Sequence, residues 1–258
     1  MASLLTNASA MTALQTLTQT NKNLATTQNR IATGQAVSTA SDNAAYWSIA
    51  TGMRAQNSIN QSVKDSLGFG SAVVDVAYTG LEESIKLGEK IVSKLASMGQ
   101  DGIDDATVQK EVDALTAQIV QIATSADFEG QNLLSTAGTA LTVVAGYVKD
   151  SGTLDTITVA KYDLEAADFT DLATAETTLK AMRDAAADLG ASKIRVDSQL
   201  SFTSKLMDAV DRGVGALVDA DMNAESARLS ALQTQQQLGI QALSIANSSS
   251  QSILSLFR

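Results

Sequence analysis

The chain has no cysteine, no proline and no histidine. Without cysteine there is no disulfide framework, no thiol nucleophile and no cysteine-based metal site. Without histidine the commonest general base and metal ligand is missing, and a serine–histidine triad cannot form. Proline breaks helix interiors, so its absence permits long uninterrupted helices. Aromatics are 4% against a hydrophobic content of 45%, so Ala, Leu, Ile and Val must supply the packing, which favours close helix–helix contact. Basic residues are outnumbered, 18 Lys and Arg against 28 Asp and Glu. The net charge of −10 is the wrong sign for a phosphate backbone, and no nucleic-acid partner is expected. No run approaches the ~20 apolar residues of a transmembrane helix, so no membrane role is expected. Met1 to Asn7 lacks the basic region and apolar stretch of a Sec signal, which leaves the cytoplasm or export without a cleaved signal.

Charge is nearly missing at both ends. Lys22 is the only charged side chain from Met1 to Asn29, and Arg258 the only one from Leu229 onward. Ordinary soluble sequence is about a quarter charged. Thr, Asn, Gln and Ser interrupt every apolar run here, so these ends suit a protein–protein interface. Residues 3–33 read as one amphipathic helix. Leu14, Leu17, Asn21, Leu24, Gln28 and Ile31 fall at alternating three- and four-residue steps, a coiled-coil seam.

Residues 34–40 break the pattern, and Ser41 or Asp42 is expected to cap a second helix over 43–98. Gly68, Gly70 and Gly80 weaken it locally. A turn at 99–105 precedes a third helix over 106–126. Two β-branched runs, Leu141–Val148 and Asp155–Tyr162, predict a hairpin within residues 140–162. Helical pattern resumes from Asp171 to Arg212, Gly213 and Gly215 mark a hinge or frayed turn, and a last helix runs from Asp221 to Phe257. The expected fold is mainly α: a long antiparallel helical bundle or coiled coil with a small β-hairpin in the middle of the chain.

Other constellations have plainer readings. Asp101, Asp104 and Asp105 beside Gly102 lack the spacing of a calcium loop and suit helix capping. Asp219, Asp221 and Glu225 suit a helix start. Gly68-Phe69-Gly70 and Gly213-Val214-Gly215 are fragments of a glycine-rich loop without its third glycine or preceding strand. Tyr46-Trp47 reads as a packing anchor. No catalytic, cofactor or metal site is expected, and the chain reads as a non-enzyme.

Three stretches resemble bacterial flagellin. Asn29-Arg30-Ile31-Ala32-Thr33-Gly34 with Ser41-Asp42-Asn43-Ala44-Ala45 is similar to the N-terminal signature of that family. Phe128-Glu129-Gly130 with Asn132-Leu133-Leu134 is a second match. The third runs from Asp219-Ala220-Asp221 and Glu225 through Gln236-Gln237, Gly239 and Ala246-Asn247 to Ile253–Arg258. The form of residues 43–50 looks like the alphaproteobacterial branch. The similarity covers residues 1–134 and 185–258, and residues 135–185 leave no room for a large outer domain.

The resemblance implies a subunit of the flagellar filament, outside the cell, exported through the flagellar apparatus with a chaperone and built up beneath a filament cap on hook-associated proteins. Residues 1–40 with 221–258 would form inner tubes, and residues 41–220 a helical shell. The seam residues, with Leu243, Leu254 and Phe257, would be the polymerisation interface. A hook–filament junction protein, or a cytoplasmic signalling coiled coil, is the alternative. The family also carries immune epitopes. Their equivalents here are Arg30, Gly34, Ala36, Ser41, Asp42, Asn43 and Tyr46, and for the vertebrate receptor Leu87 and Glu111. Ala36 replaces an Arg, Ser41 a Lys, Asn43 an Asp and Tyr46 a Gly, so weak recognition is expected. Leu87 stands where recognised flagellins carry Arg, so Leu87→Arg is expected to raise receptor activation.

Overall fold

A computed structural model describes residues 7–98, 100–101, 104–148 and 152–256, and side chains except those of 250, 251 and 253–256. Phe257 and the side chain of Leu254 lie outside the described residues, as do the hairpin turn at 149–151 and Gly99 and Gly102. Five helices and two short antiparallel strand pairs make up the described chain. In order these are α1 (Ala8–Thr33), α2 (Ala44–Leu95), α3 (Asp105–Ser125), β1 (Asp127–Phe128), β2 (Gln131–Asn132), β3 (Leu141–Val148), β4 (Thr153–Val159), α4 (Leu172–Val218) and α5 (Met222–Leu256). The fold is mainly helical, as the composition requires. The chain divides into two compact units, residues 1–55 with 210–258 and residues 56–209.

The first unit is built on α1 and α5, which run antiparallel. Asn7 caps α1, its Oδ1 accepting from the Ala10 amide at 3.0 Å while its Nδ2 donates to the Ala246 carbonyl at 3.1 Å. Gly34 ends α1 at φ 71°, a left-handed cap that glycine adopts without strain. The chain then pairs back: Gln35 forms a β-bridge with Asp219, Ala36 N donates to Val218 O, and Ala220 N to Gly34 O. Ala50, Val214 and Val218 form a small core here, flanked by Met53, Val210 and Leu217.

Two expectations change in this unit. Asn43, not Ser41 or Asp42, caps α2, its Oδ1 accepting from Tyr46 N at 3.2 Å. Asp42 instead gathers the loop before it. One carboxylate oxygen accepts from the amides and hydroxyls of both Ser38 and Thr39. The Thr39 amide, and after it the other three donors, hold its pKa below the usual 3.8. Gly213 and Gly215 mark no hinge, because α4 continues to Val218. Gly213 is there for contact: a Cβ on it would lie 2.8 Å from the Met53 methyl.

In the second unit, parts of α2 and α4 pack with α3 and the hairpin around one apolar core. Leu67, Leu81, Ile91, Ile119, Leu134 and Met182 are among its fully buried side chains. β3 and β4 pair in register from Leu141↔Val159 to Val144↔Thr156, slip once at Ala145, and resume at Gly146↔Asp155. β4 stops short of the expected Tyr162 because the chain after it serves a different partner. Tyr162 N and Leu164 N donate to the carbonyls of Leu133 and Leu134. α2 ends at Leu95, with a turn over residues 96–98 where helix was expected. Across the unit, Arg183 pairs with Glu89 at 2.8 Å and Lys94 with Glu111 at 2.6 Å. Lys193 bonds Asp75, which raises its pKa.

Candidate assembly faces

The helix pair α1–α5 carries two seams on each helix, one turned inward and one turned out. On α1 the inward seam is Ala10, Ala13, Leu17, Thr20, Leu24, Thr27 and Ile31, all buried or half-buried. Its steps are three and four, as a coiled coil requires. The expected seam shares Leu17, Leu24 and Ile31 with it. Leu14, Asn21 and Gln28 are exposed, and Ala13, Thr20 and Thr27 take their places inward. The physical reason is size. Small residues at alternate seam positions let the two backbones approach, and a Leu at position 13 or 20 would hold them apart.

α5 repeats the pattern. Its inward seam is Glu225, Leu229, Leu232, Gln236, Gly239, Leu243 and Ala246. A Cβ on Gly239 would meet Leu17 Cδ1 at 3.3 Å, the close approach that the missing side chain allows. Gln236 Nε2 donates to Asn21 Oδ1 at 2.8 Å, so Asn21, though exposed, does join the two helices. At the base Arg30 Nη1 meets Glu225 Oε1 at 3.2 Å, and Arg228 Nη1 meets the same oxygen at 3.1 Å.

The outward seams are apolar and uncovered. On α1 they hold Met11 and Leu14, the latter 54% exposed, above a shallow groove lined by Ala8, Gln15, Thr18 and Lys22. On α5 they hold Leu238, Ala242 and Ile245, the last 68% exposed. These positions on α5 were missed by the sequence reading. A second apolar repeat offset by one residue from the first is the signal that marks them.

Polarity is muted all round α1, on the inward seam at Thr20 and on the outward one at Thr18 alike. The hydroxyls of Thr12, Thr16, Thr18, Thr20, Thr26 and Thr33 each donate to the carbonyl four residues back in α1, at 2.8 to 3.1 Å. A threonine bonded this way presents its methyl group outward. Removing such a threonine from water strands no donor, so any side of α1 that carries one can be buried at low desolvation cost.

The epitope-equivalent positions fall in both units. In the first, Gly34 is the cap of α1, Ala36 is in the backbone bridge, Asn43 caps α2, and Ser41, Asp42 and Tyr46 are exposed. In the second, Glu111 is exposed and paired with Lys94. Leu87 is 8% exposed and belongs to the core. That corrects the expectation for Leu87→Arg, since a guanidinium at this position would enter the core instead of facing a receptor. Among the described residues no group of three or more acidic side chains is placed to hold a metal ion, and no helix is long and apolar enough to cross a membrane.

Comparison with known proteins matches both halves. Residues 4–139 fit the bacterial flagellin N-terminal helical region and residues 172–257 the bacterial flagellin C-terminal helical region. A flagellin of Brucella melitensis is 50% identical over the whole of both chains. Flagellin C of Rhizobium meliloti is 38% identical, again over the whole of both. Flagellin FljK of Caulobacter vibrioides is 40% identical over 98% of this chain and 97% of its own. All three come from alphaproteobacteria.

Proposed function

The chain belongs to the bacterial flagellin family, and we propose from that premise that it polymerises through the outward seams of α1 and α5. It is a structural subunit of the extracellular flagellar filament and serves motility. Nothing in the comparisons favours a junction protein or a signalling coiled coil. The observation that carries the proposal is the second apolar seam, with Leu14 on α1 and Leu238 and Ile245 on α5, which the single chain leaves in water. Burying it between copies gains roughly 25 cal/mol per Å² of apolar surface. Leu17, Leu24 and Ile31 stand between the two faces and serve both; Leu243, Leu254 and Phe257 extend the α5 side.

In the proposed assembly, residues 1–40 with 221–258 form inner tubes and residues 41–220 the shell. The subunit is not an enzyme and takes no cofactor. It leaves the cell through the flagellar export apparatus with a chaperone, without a cleaved signal, and assembles beneath a cap on hook-associated proteins. It engages neither nucleic acid nor membrane. The substitutions at Ala36, Ser41, Asn43 and Tyr46 make it a weak immune elicitor. A peptide of residues 29–50 is expected to give no oxidative burst in plant tissue at nanomolar dose.

Leu14→Asp tests the outer seam directly. Leu14 makes no part of the inward seam, so circular dichroism of the soluble chain should be unchanged while filament yield by sedimentation collapses. Leu24→Asp should disturb both measurements. Normal filaments from Leu14→Asp would exclude the outer seam as the polymerisation face. A further expectation concerns the filament surface. Val143, Ala145, Ile157 and Val159 of the hairpin are in the core of their unit, so nothing is left to build an outer lobe, and the filament should be thin and smooth. A helical reconstruction with an ordered lobe outside the helical shell would contradict this.

A further inference from the structure

α2 begins without charge. From Asn43 to Met53 no side chain is charged, and the flanking charges are Asp42 and Arg54. Met53 lies against Gly213, and Ala50 shares a small core with Val214 and Val218, so α2 and the end of α4 run antiparallel here. Tyr46 and Trp47 stand four and three residues before Ala50, on the same side of α2 and one turn nearer its start. α4 has run out by then. Its last residue, Val218, gives its carbonyl to the amides of Ala36 and Val37, and the chain turns away into α5. The packed stripe of α2 therefore continues one turn beyond the helix that covers it. Tyr46 is left 47% exposed and Trp47 38%, with Ile49 exposed beside them.

An exposed apolar patch of this kind marks an interaction site. Trp and Tyr are the residues that most often anchor such sites, because each buries a large rigid area and carries one polar tip. Neither the Trp47 indole N–H nor the Tyr46 hydroxyl has a hydrogen-bond partner among the described residues, so both tips are open to a partner. Nothing from Asn43 to Met53 could pair a charge, so the surface that docks must itself be uncharged. The chain is a structural subunit that polymerises with itself, which makes another copy the surface each subunit meets.

We propose that Trp47, with Tyr46 and Ile49, anchors a further contact between copies, in which the start of α2 docks on an uncharged apolar surface of a neighbouring subunit. This contact goes beyond the seams of α1 and α5. It rests on the chain being a filament subunit and not on which seam joins the copies.

Trp47 is the only tryptophan, so its fluorescence reads this site alone in the full-length chain. In the soluble chain the emission should be that of a wetted indole, readily quenched by acrylamide. In filaments it should move to shorter wavelength, and quenching should fall several-fold. Unchanged emission and quenching in filaments overturn the proposal. Trp47→Phe with Ser48→Trp carries the probe to the side of α2 away from Ala50, where the filament should protect it less. Equal protection at both positions overturns the docking face. Trp47→Glu should raise the critical concentration for polymerisation about tenfold, ~1.4 kcal/mol per subunit. Circular dichroism of that soluble chain should be unchanged, because Trp47 makes no part of the small core. Trp47→Phe should polymerise near the parent concentration, and normal polymerisation of Trp47→Glu overturns the anchor. If Leu14→Asp filaments prove normal, the outer seam is lost, and the Trp47 emission of those filaments still decides this contact.

Discussion

Val143 sits directly over Gly70, so close that a Cβ on the glycine would lie 2.4 Å from one Val143 methyl and 2.9 Å from the other. This is how the hairpin reaches α2. A helical glycine costs about 1 kcal/mol relative to alanine, and here that cost admits a strand side chain into the helix surface. Gly70→Ala should therefore lower stability by about 1–2 kcal/mol, overpacking outweighing the gain in helix propensity. Thermal unfolding of the soluble chain measures it. Val143→Ala in the same chain should return part of the loss, and an unchanged midpoint in Gly70→Ala would show that the hairpin moves aside freely.

Asn132 holds two segments with one side chain. Its Nδ2 donates to the Ala123 carbonyl at 2.7 Å, and its Oδ1 accepts from Leu134 N at 2.8 Å and Ser135 N at 3.1 Å. Asn132→Asp keeps the acceptors but turns a carboxylate oxygen toward a carbonyl. The expected loss is about 2–3 kcal/mol, larger than for most surface changes. Denaturant titration should show a lower midpoint with an unchanged slope.

The acid limit of the fold follows from one loop carboxylate and two helix caps. Asp42, Asp104 and Asp171 each have a pKa held below the usual 3.8, by the Thr39 amide, the Thr107 hydroxyl and the Thr174 amide respectively as leading causes. A carboxylate whose pKa is depressed in the fold adds stability above its unfolded value and loses it as pH falls through the folded one. These contacts should hold from neutrality down to 3.8 and give way below it. Circular dichroism against pH should show a shallower acid transition when Asp104 and Asp171 are both changed to Asn, which keeps an acceptor without a proton to gain.

Leu87→Arg should be a stability variant before it is anything else. Burying a guanidinium among core side chains costs several kcal/mol unless it finds a partner. A lowered melting midpoint is expected, with no gain in activation of the vertebrate receptor. A fully stable variant with raised activation would restore the surface role first expected for this position.

Much of the architecture was legible because the chain lacks alternatives. Without proline the long helices had no interruption, and the β-branched runs around position 150 could only be strands. The first-helix seam was legible to within one residue. Leu14 is larger and more apolar than Ala13, so a reading weighted by hydrophobicity chose it, whereas the helix pair chose the smaller side chain and closer backbones. Glycines misled for a related reason. Gly70 and Gly213 read as weak points in a helix, and their purpose shows only when Val143 and Met53 stand over them. The ribbon of β1 and β2 is two residues a strand, too short for alternation to register. Asn43 was passed over as a cap for Asp42, since either residue type serves and only geometry separates them.

The self-bonded threonines of α1 have a consequence for the medium around the filament. Ions act on protein contacts by screening charge, and on this helix Lys22 and Arg30 are the only charged groups. Six of its threonine hydroxyls are turned back on their own backbone and offer little for a counterion to find. Cohesion along such a face should vary little between fresh water and brine. A cell that carries this chain could swim across a salt gradient without its propeller loosening at the root of its construction.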